Sequence, residues 1–455
     1  MIANTNKILG FKDVAVLTFI SNFGIRWFAV AAALGASSIF FWIIGAIFFF
    51  LPLTFMSAHL SKLYPEEGGI YAWVRHSLGD RSAFVVAWLY WITNVFFYPA
   101  ILIFLATNLA YLLGKPELAN NTIFVCTTVI VSFWIVIFIS LFGLKANKIL
   151  TEYGGTLGTI LPTLFLILLG FLVLFLTQHS ATIINFHTAL PTGAVMHSLA
   201  NLSIIMFAMT GIEIIPTFAN AVKNPKKDLY FGLLLGAIAI VACYILGTVA
   251  MNIMLSPSEV QNTSGLIHTF EMIANKLHIP WMTRYMAFLL IFSEFASVSI
   301  WLIATIIIFF KCTQKGLLPQ WCHKTNQHNA PSNALWFVGI LVTLIVLFTN
   351  LLPKVSNIYE LLILVSAVLY FVPYLFLVLT YVKNIKKLPY SPILPWCFAF
   401  FVFISLILGI LFSFQPPAGM SAKSQLIYEI ELIFLISFFI IFGYVVYEKR
   451  KKYIE

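Results

Sequence analysis

The sequence predicts an all-α membrane protein of twelve transmembrane helices, organised as one transmembrane domain over residues 1–455. Three observations predict this fold class. The chain is 61% hydrophobic and 9% charged, whereas soluble domains are about 45–50% apolar and about 25% charged. It contains twelve apolar runs that each approach the ~20 residues needed to cross a bilayer. Finally, its Lys and Arg residues alternate between crowded and sparse connections.

The twelve apolar runs, numbered here as spans 1 to 12, group into two sets of five and a final pair. Spans 1–5 cover about 11–177, spans 6–10 about 194–382, and spans 11–12 about 393–447. The predicted bounds are 11–34, 38–60, 82–113, 122–142, 149–177, 194–220, 229–255, 284–311, 333–352, 357–382, 393–414 and 426–447.

The positive charges predict a multi-pass protein with both termini in the cytoplasm. Of the 26 Lys and Arg residues, twenty lie in the terminal segments and the connections after even-numbered spans, and five lie in the connections after odd-numbered spans. Cytoplasmic loops carry such an excess. The net charge of +10 therefore follows topology, and we expect no nucleic-acid partner.

Span 1 carries Arg26 near its middle, within the sequence Asn22-Phe23-Gly24-Ile25-Arg26-Trp27. An arginine at mid-membrane costs about 2.5–3.5 kcal/mol on insertion scales and usually marks function. Gly24 lets a helix unwind without a side-chain clash. We therefore predict a broken helix that lines a polar cavity. The alternative is an intact helix whose Arg26 pairs with a buried carboxylate.

The segment that follows span 2 is too short and polar to cross a membrane. Ile70, Trp73 and Val74 share one helical face, which favours an interfacial helix. The alternative is a solvated connecting loop held down by Trp73.

Span 6 repeats the pattern of span 1, because Gly211 and Pro216 flank the isolated acid Glu213. Two broken helices five spans apart are typical of inverted-repeat transporters. Unwound segments leave amide and carbonyl groups that need partners. A zwitterion can supply them, with its carboxylate at a helix N-terminus and its ammonium group at free carbonyls.

The remaining polar residues give no indication of an enzyme. Glu294 is another mid-membrane acid, among the small residues of span 8, which suit close helix packing. The five cysteines show neither a disulfide framework nor zinc-ligand spacing. No nucleophile–base pair is evident. We expect no cofactor and no metal. We also expect no removable signal peptide, and no plug after span 12.

Four motifs carry a resemblance to a known family. The strongest is EEGGIYAWV at 66–74, and the second pairs GIE at 211–213 with NPKKD at 224–228. The others are EFAS at 294–297 and FQPP at 414–417. On these motifs the chain resembles the amino acid–polyamine–organocation superfamily, and within it most closely the bacterial glutamate:γ-aminobutyrate antiporter family.

The resemblance implies inverted repeats of spans 1–5 and 6–10 in a bacterial inner membrane, with substrate bound between the broken middles of spans 1 and 6. The expected substrate-binding residues are Asn22, Gly24, Ile25, Arg26, Trp27, Phe207, Thr210, Gly211 and Ile212. The residues expected to couple protons or gate the pathway are Glu213, Glu294 and Tyr98.

Arg26 departs from the Gly-Ser-Gly-type break that many superfamily members have. We expect it to bind a substrate carboxylate or to neutralise Glu213 or Glu294. The predicted function is secondary active transport of a small amino acid or its amine product by alternating access, as an antiporter or coupled to protons. The alternative is a transport-inactive amino-acid sensor or partner-binding membrane subunit. The sequence leaves the oligomeric state open.

Overall fold

The computed structural model is almost entirely helical. It describes residues 9–65, 68–191, 199–311, 313, 316–349, 355–388, 391–415 and 422–453. Within these residues, eleven helices are long and apolar enough to cross a membrane. Span 1 is missing from that number because it consists of two helices of 12 and 6 residues, each too short to cross alone. The predicted all-α fold, broken in spans 1 and 6, is confirmed.

The helical bounds fall within a few residues of the predicted ones for most spans. In order, spans 1 to 12 comprise Phe11–Asn22 with Trp27–Ala32, Gly35–Leu63, Asp80–Leu112, Thr122–Leu141, Ile149–Thr177, Leu199–Ala208 with Ile212–Ala221, Pro225–Met254, Trp281–Phe310, Ser332–Thr349, Val355–Lys387, Ile393–Ser413 and Ala422–Arg450. Two further helices that do not cross are Ile70–Leu78 and Gly265–Lys276.

Parts of the sequence motifs lie outside the described residues. They are Glu66 and Glu67 of the first motif and Pro416 and Pro417 of the fourth. Residues 194–198, at the start of predicted span 6, also lie outside the described residues.

Spans 1 and 6 run in opposite directions. Just before span 1, the Leu9 amide donates to the Ala221 carbonyl at 3.1 Å, and the Lys223 amide donates to the Leu9 carbonyl at 2.9 Å. Span 1 therefore begins at the face of the molecule where span 6 ends. Four crossings, spans 2 to 5, lie between spans 1 and 6. Consecutive crossings alternate in direction, so each half of the fold presents its broken first helix in the opposite orientation to the other.

The broken spans lie in the centre of the molecule. The most apolar stretch of span 6 is 89% buried and those of spans 3, 8 and 10 are 78–83% buried, whereas spans 11 and 12 are 28% and 17% buried. Spans 1, 3, 6, 8 and 10 thus form an inner bundle, and the outer spans present their apolar side chains to lipid.

The NPKKD motif shapes the start of span 7. Pro225 occupies the first turn of that helix, where its missing N–H leaves nothing unsatisfied. The Asp228 carboxylate accepts from the Asn224 amide at 3.0 Å, and the Asp228 amide donates to the Asn224 carbonyl at 2.7 Å. The motif therefore caps the helix that follows span 6.

The segment after span 2 forms the predicted helix, Ile70–Leu78. Its apolar residues Ile70, Trp73 and Val74 are fully buried, and the helix packs on spans 3, 6 and 10. The Trp73 Nε1–H donates to the Tyr64 carbonyl at 3.3 Å. The predicted helix is therefore present, and its apolar face contacts protein. Its position at the membrane interface stays a prediction.

Candidate functional site

The break in span 1 covers Phe23 to Arg26. The first helix ends at Asn22, Phe23 is extended with φ −85° and ψ 118°, and a helix resumes at Trp27. The Gly24 amide donates to the hydroxyl of Tyr244 in span 7 at 3.1 Å. The break predicted from Gly24 and Arg26 is therefore present, and a side chain of the other repeat holds it.

The break in span 6 centres on Gly211. The helix ends at Ala208, Gly211 has φ +105°, and a 3₁₀ helix starts at Ile212. A Cβ at Gly211 would lie 2.5 Å from the Asn22 Oδ1 and 2.7 Å from the Trp301 ring. The two breaks therefore touch each other, and only glycine fits at their contact.

Aromatic side chains satisfy several backbone groups that the breaks expose. The Gly211 amide donates to the Tyr374 hydroxyl at 2.7 Å, and the Trp301 Nε1–H donates to the Ser21 carbonyl at 3.1 Å. The expectation that a bound zwitterion would satisfy the unwound backbone is wrong for these groups. Buried polar groups need partners at all times, and the protein supplies them itself.

Tyr244 bridges both breaks, because its hydroxyl also donates to the Ala208 carbonyl at 3.1 Å. We expect Tyr244→Phe to destabilise the protein by about 1–3 kcal/mol, since it leaves a buried N–H and a buried C=O unpaired. Unfolding free energies in detergent micelles measure the loss. Tyr285→Phe, at a span 8 position that is 46% exposed, is the control. Equal stability of the two variants would contradict the bridging role.

A cavity of about 20 Å³ lies between the breaks. Its walls are Ser21, Asn22, Phe23, Gly24, Arg26, Trp27, Phe97, Phe207, Ala208, Thr210, Ser297, Trp301 and Tyr370. Six of the nine residues expected to bind substrate are among them. The other three are Ile25 and Ile212, which are fully buried, and Gly211, whose neighbours are Asn22 and Trp301.

Arg26 forms an ion pair with Glu294 across the site. The Arg26 Nη1 donates to the Glu294 Oε2 at 2.9 Å, and the two side chains are 5% and 1% exposed. The guanidinium carbon lies 5.0 Å from the Trp27 ring centroid and 5.2 Å from the Phe97 centroid. Of the expected partners for Arg26, the structure selects Glu294. The broken helix and the buried carboxylate, offered as alternatives, occur together.

Glu213 occupies a separate polar cluster behind the span 6 break. Its carboxylate accepts from the Tyr370 hydroxyl at 2.7 Å and from the Tyr374 hydroxyl at 2.6 Å. Tyr370 also bonds the Tyr90 hydroxyl at 2.9 Å. Because Tyr370 lines the cavity, the acid of span 6 is one side chain away from the candidate substrate position.

Tyr98 does not line the cavity. Its hydroxyl bonds Thr305 Oγ1 at 2.8 Å, and its ring stacks on Phe133. The residue that faces the cavity from span 3 is Phe97, one position earlier.

Sequence reasoning did not select Trp301, Tyr370, Tyr374 or Tyr244. For three of them, the spacing along a helix could have indicated a position at the site. Trp301 lies seven residues after Glu294 and so faces the same side of span 8. Tyr370 and Tyr374 are four residues apart on span 10, which places two hydroxyls on one face. Tyr244 has no such close neighbour, since the other tyrosine of span 7 is Tyr230, and it gives no such indication.

Comparison with known proteins identifies the family. A family model described as amino acid permease matches residues 9–439. The chain belongs to the amino acid permease family. This permease is 30% identical to an uncharacterized transporter of Legionella pneumophila over 99% of its own length and 98% of the relative.

Other relatives of the permease carry names that include substrates. A glutamate/γ-aminobutyrate antiporter of Lactococcus lactis is 26% identical over 91% of this chain and 85% of its own length. A probable agmatine/putrescine antiporter of the same species is 28% identical over 72% of this chain and 69% of its own. The permease is thus a multi-pass membrane transporter of an amino-acid and amine family, and not an enzyme.

The fold has a counterpart among solved structures. The manganese transporter of Eremococcus coleocola aligns with a TM-score of 0.61 over 98% of this chain and 99% of its own, at 12% sequence identity. At that identity the likeness shows the shared transporter fold alone.

Proposed function

We propose that this permease is a secondary active antiporter that exchanges small amino acids, or an amino acid and its amine product, across the bacterial inner membrane. The observation that carries the proposal is the cavity between the two broken spans, which is lined by Arg26 and by the aromatic rings of Trp27, Phe207 and Tyr370. Aromatic walls with few polar groups are typical of small-ligand sites. Antiporter relatives support exchange as the transport mode.

The size of the cavity supports alternating access. About 20 Å³ is room for about one water molecule, which is far less than an amino acid needs. Substrate entry therefore requires the rings that close the cavity to separate. Phe207 contacts both Trp27 and Phe97, at centroid distances of 5.9 Å and 5.1 Å. Movement of span 6 relative to spans 1 and 3 would open the cavity.

Proton coupling is assigned to Glu213. Its carboxylate, when ionised, accepts hydrogen bonds from two hydroxyl groups of span 10. Protonation converts one carboxylate oxygen into a donor, which weakens the link between spans 6 and 10. The positive charges on the terminal segments support cytoplasmic termini, so the 3₁₀ half of span 6 would face the cytoplasm.

Exchange in liposomes tests the proposal. Purified protein is reconstituted with unlabelled amino acid or amine inside, and uptake of the labelled compound is measured between pH 5 and 8. We expect uptake to depend on internal substrate and on pH. Glu213→Gln should remove most of the pH dependence, whereas Glu117→Gln, in the exposed connection after span 3, should retain it.

Two results would contradict the proposal. Uptake of no amino acid or amine under any loading condition would exclude transport, and ligand-induced stabilisation without uptake would favour the sensor. A pH profile of Glu213→Gln that matches the parent would exclude this residue as the coupling group.

A further inference from the structure

The ion pair at the site is only half satisfied. Arg26 and Glu294 share one hydrogen bond, from the Arg26 Nη1 to the Glu294 Oε2. Guanidinium and carboxylate groups commonly form two. The Arg26 Nε and the Glu294 Oε1 are buried without a hydrogen-bond partner. Buried polar atoms without partners are rare in native structures and need an explanation.

A third such atom lies beside the pair. The Asn22 Oδ1 is buried without a partner, and the Asn22 amide orientation is fixed because its Nδ2 donates to the Thr18 carbonyl at 2.8 Å. Asn22 and Arg26 both line the cavity, as does Ser297, one helical turn after Glu294. Two of the three unpartnered atoms therefore belong to residues that line the cavity. The third, the Glu294 Oε1, belongs to the carboxylate that is bonded to Arg26.

We propose that Asn22, Arg26 and Glu294 recognise the two charged ends of a zwitterion and that Arg26 makes the site reject dicationic amines. The substrate carboxylate would accept a hydrogen bond from the Arg26 Nε. The substrate ammonium group would donate to the Asn22 Oδ1 and the Glu294 Oε1. This inference rests on the proposed transport function and assigns its substrate class. It predicts that this permease does not exchange agmatine and putrescine, the two compounds in the name of one relative.

The position of the guanidinium supports the rejection of dications. It lies within 5.0 Å and 5.2 Å of the Trp27 and Phe97 ring centroids, where a cationic group of a ligand would find its best aromatic contacts. A diamine in the cavity would bring a second cation to about 5 Å from Arg26. At an effective dielectric constant of about 20, repulsion by Arg26 alone would weaken binding on the order of 100-fold. The attraction of the Glu294 carboxylate offsets part of it, which leaves an effect of about 10-fold. A neutral zwitterion meets a site of net charge zero.

Binding to the parent protein provides the first test. Dissociation constants are measured by titration calorimetry in detergent micelles for γ-aminobutyrate, L-alanine, putrescine and agmatine. We expect at least one zwitterion to bind and both dications to bind about 10-fold more weakly. Binding of a dication as tightly as the best zwitterion would overturn the inference.

Substitution of Arg26 provides the second test. Arg26→Met should weaken zwitterion binding about 10- to 100-fold through loss of a charged hydrogen bond, and it should strengthen putrescine binding because Glu294 is left as an unpaired anion. Arg26→Lys keeps the charge and should still reject putrescine. Arg284→Met, at an exposed position of span 8, is the control and should bind as the parent does.

The outcomes separate this inference from the proposed function. An unchanged ratio of zwitterion to dication affinity in Arg26→Met would show that the ion pair only packs the bundle, while exchange in liposomes would still stand. Absence of binding and exchange for every compound would overturn both. If Arg26→Met fails to fold, the affinities of the parent and of Arg26→Lys decide the inference alone.

Discussion

Alanine in place of Gly211 is expected to destabilise the permease by about 2–5 kcal/mol and to abolish exchange. The φ of +105° at this position costs an L-residue roughly 1–2 kcal/mol. The added methyl group would also approach the Asn22 Oδ1 to 2.5 Å and the Trp301 ring to 2.7 Å, and such overpacking costs roughly 1–3 kcal/mol. Spans 1, 6 and 8 meet at this contact, so relief of the clash must separate them. Unfolding free energy and liposome exchange measure the two effects.

Gly79→Ala separates backbone strain from the clash. Gly79 also has a positive φ, +87°, but an added Cβ would meet nothing within 4 Å. Its ψ of 174° places it in a backbone region that is nearly exclusive to glycine, so we expect this variant to lose about 1–3 kcal/mol from strain alone and to keep exchange. If Gly79→Ala and Gly211→Ala lose the same stability and the same activity, contact between the two breaks does not explain the requirement for glycine.

The positions of the breaks could be predicted from the sequence because they depend on local properties. A charge beside a glycine in span 1 and a Gly–Pro pair around an acid in span 6 are incompatible with continuous apolar helices. The apolar runs themselves follow from the thickness of the bilayer. The helix Ile70–Leu78 is also predictable locally, because its apolar residues share one helical face. The protein surface that covers this face is not predictable in the same way.

The partners at the site could not be predicted, because they are long-range. Arg26 and Glu294 are 268 residues apart, and the sequence offered Glu213 as an equal choice. Tyr244 and Gly24 are 220 residues apart. An isolated tyrosine in a membrane helix resembles any other aromatic residue there, so nothing local distinguishes one that bridges two unwound segments.

The Arg26–Glu294 pair is expected to show a large coupling energy in a double-mutant cycle. Arg26→Met and Glu294→Leu should each destabilise the fold by about 3–5 kcal/mol, since each leaves one buried charged group without its partner. The double variant should be nearly as stable as the parent, because replacing both members of a buried pair is often neutral. Unfolding free energies of all four proteins in detergent micelles give the coupling. This stability cycle measures the pair without any ligand.

An exposed pair of the same chemistry gives the matched control. Arg75 lies in the helix Ile70–Leu78, and Asp80 is the first residue of span 3. The Arg75 Nε lies 2.7 Å from the Asp80 Oδ1, and the two side chains are 41% and 42% exposed. Pairs of this kind couple by about 0.2–1 kcal/mol, so the cycle Arg75→Met with Asp80→Asn should give a value in that range. A coupling energy for Arg26 and Glu294 no larger than this would show that water reaches the site and screens the pair. The guanidinium would then be too weakly held to act as a fixed cation, and the charge selectivity assigned to it would lose its physical basis.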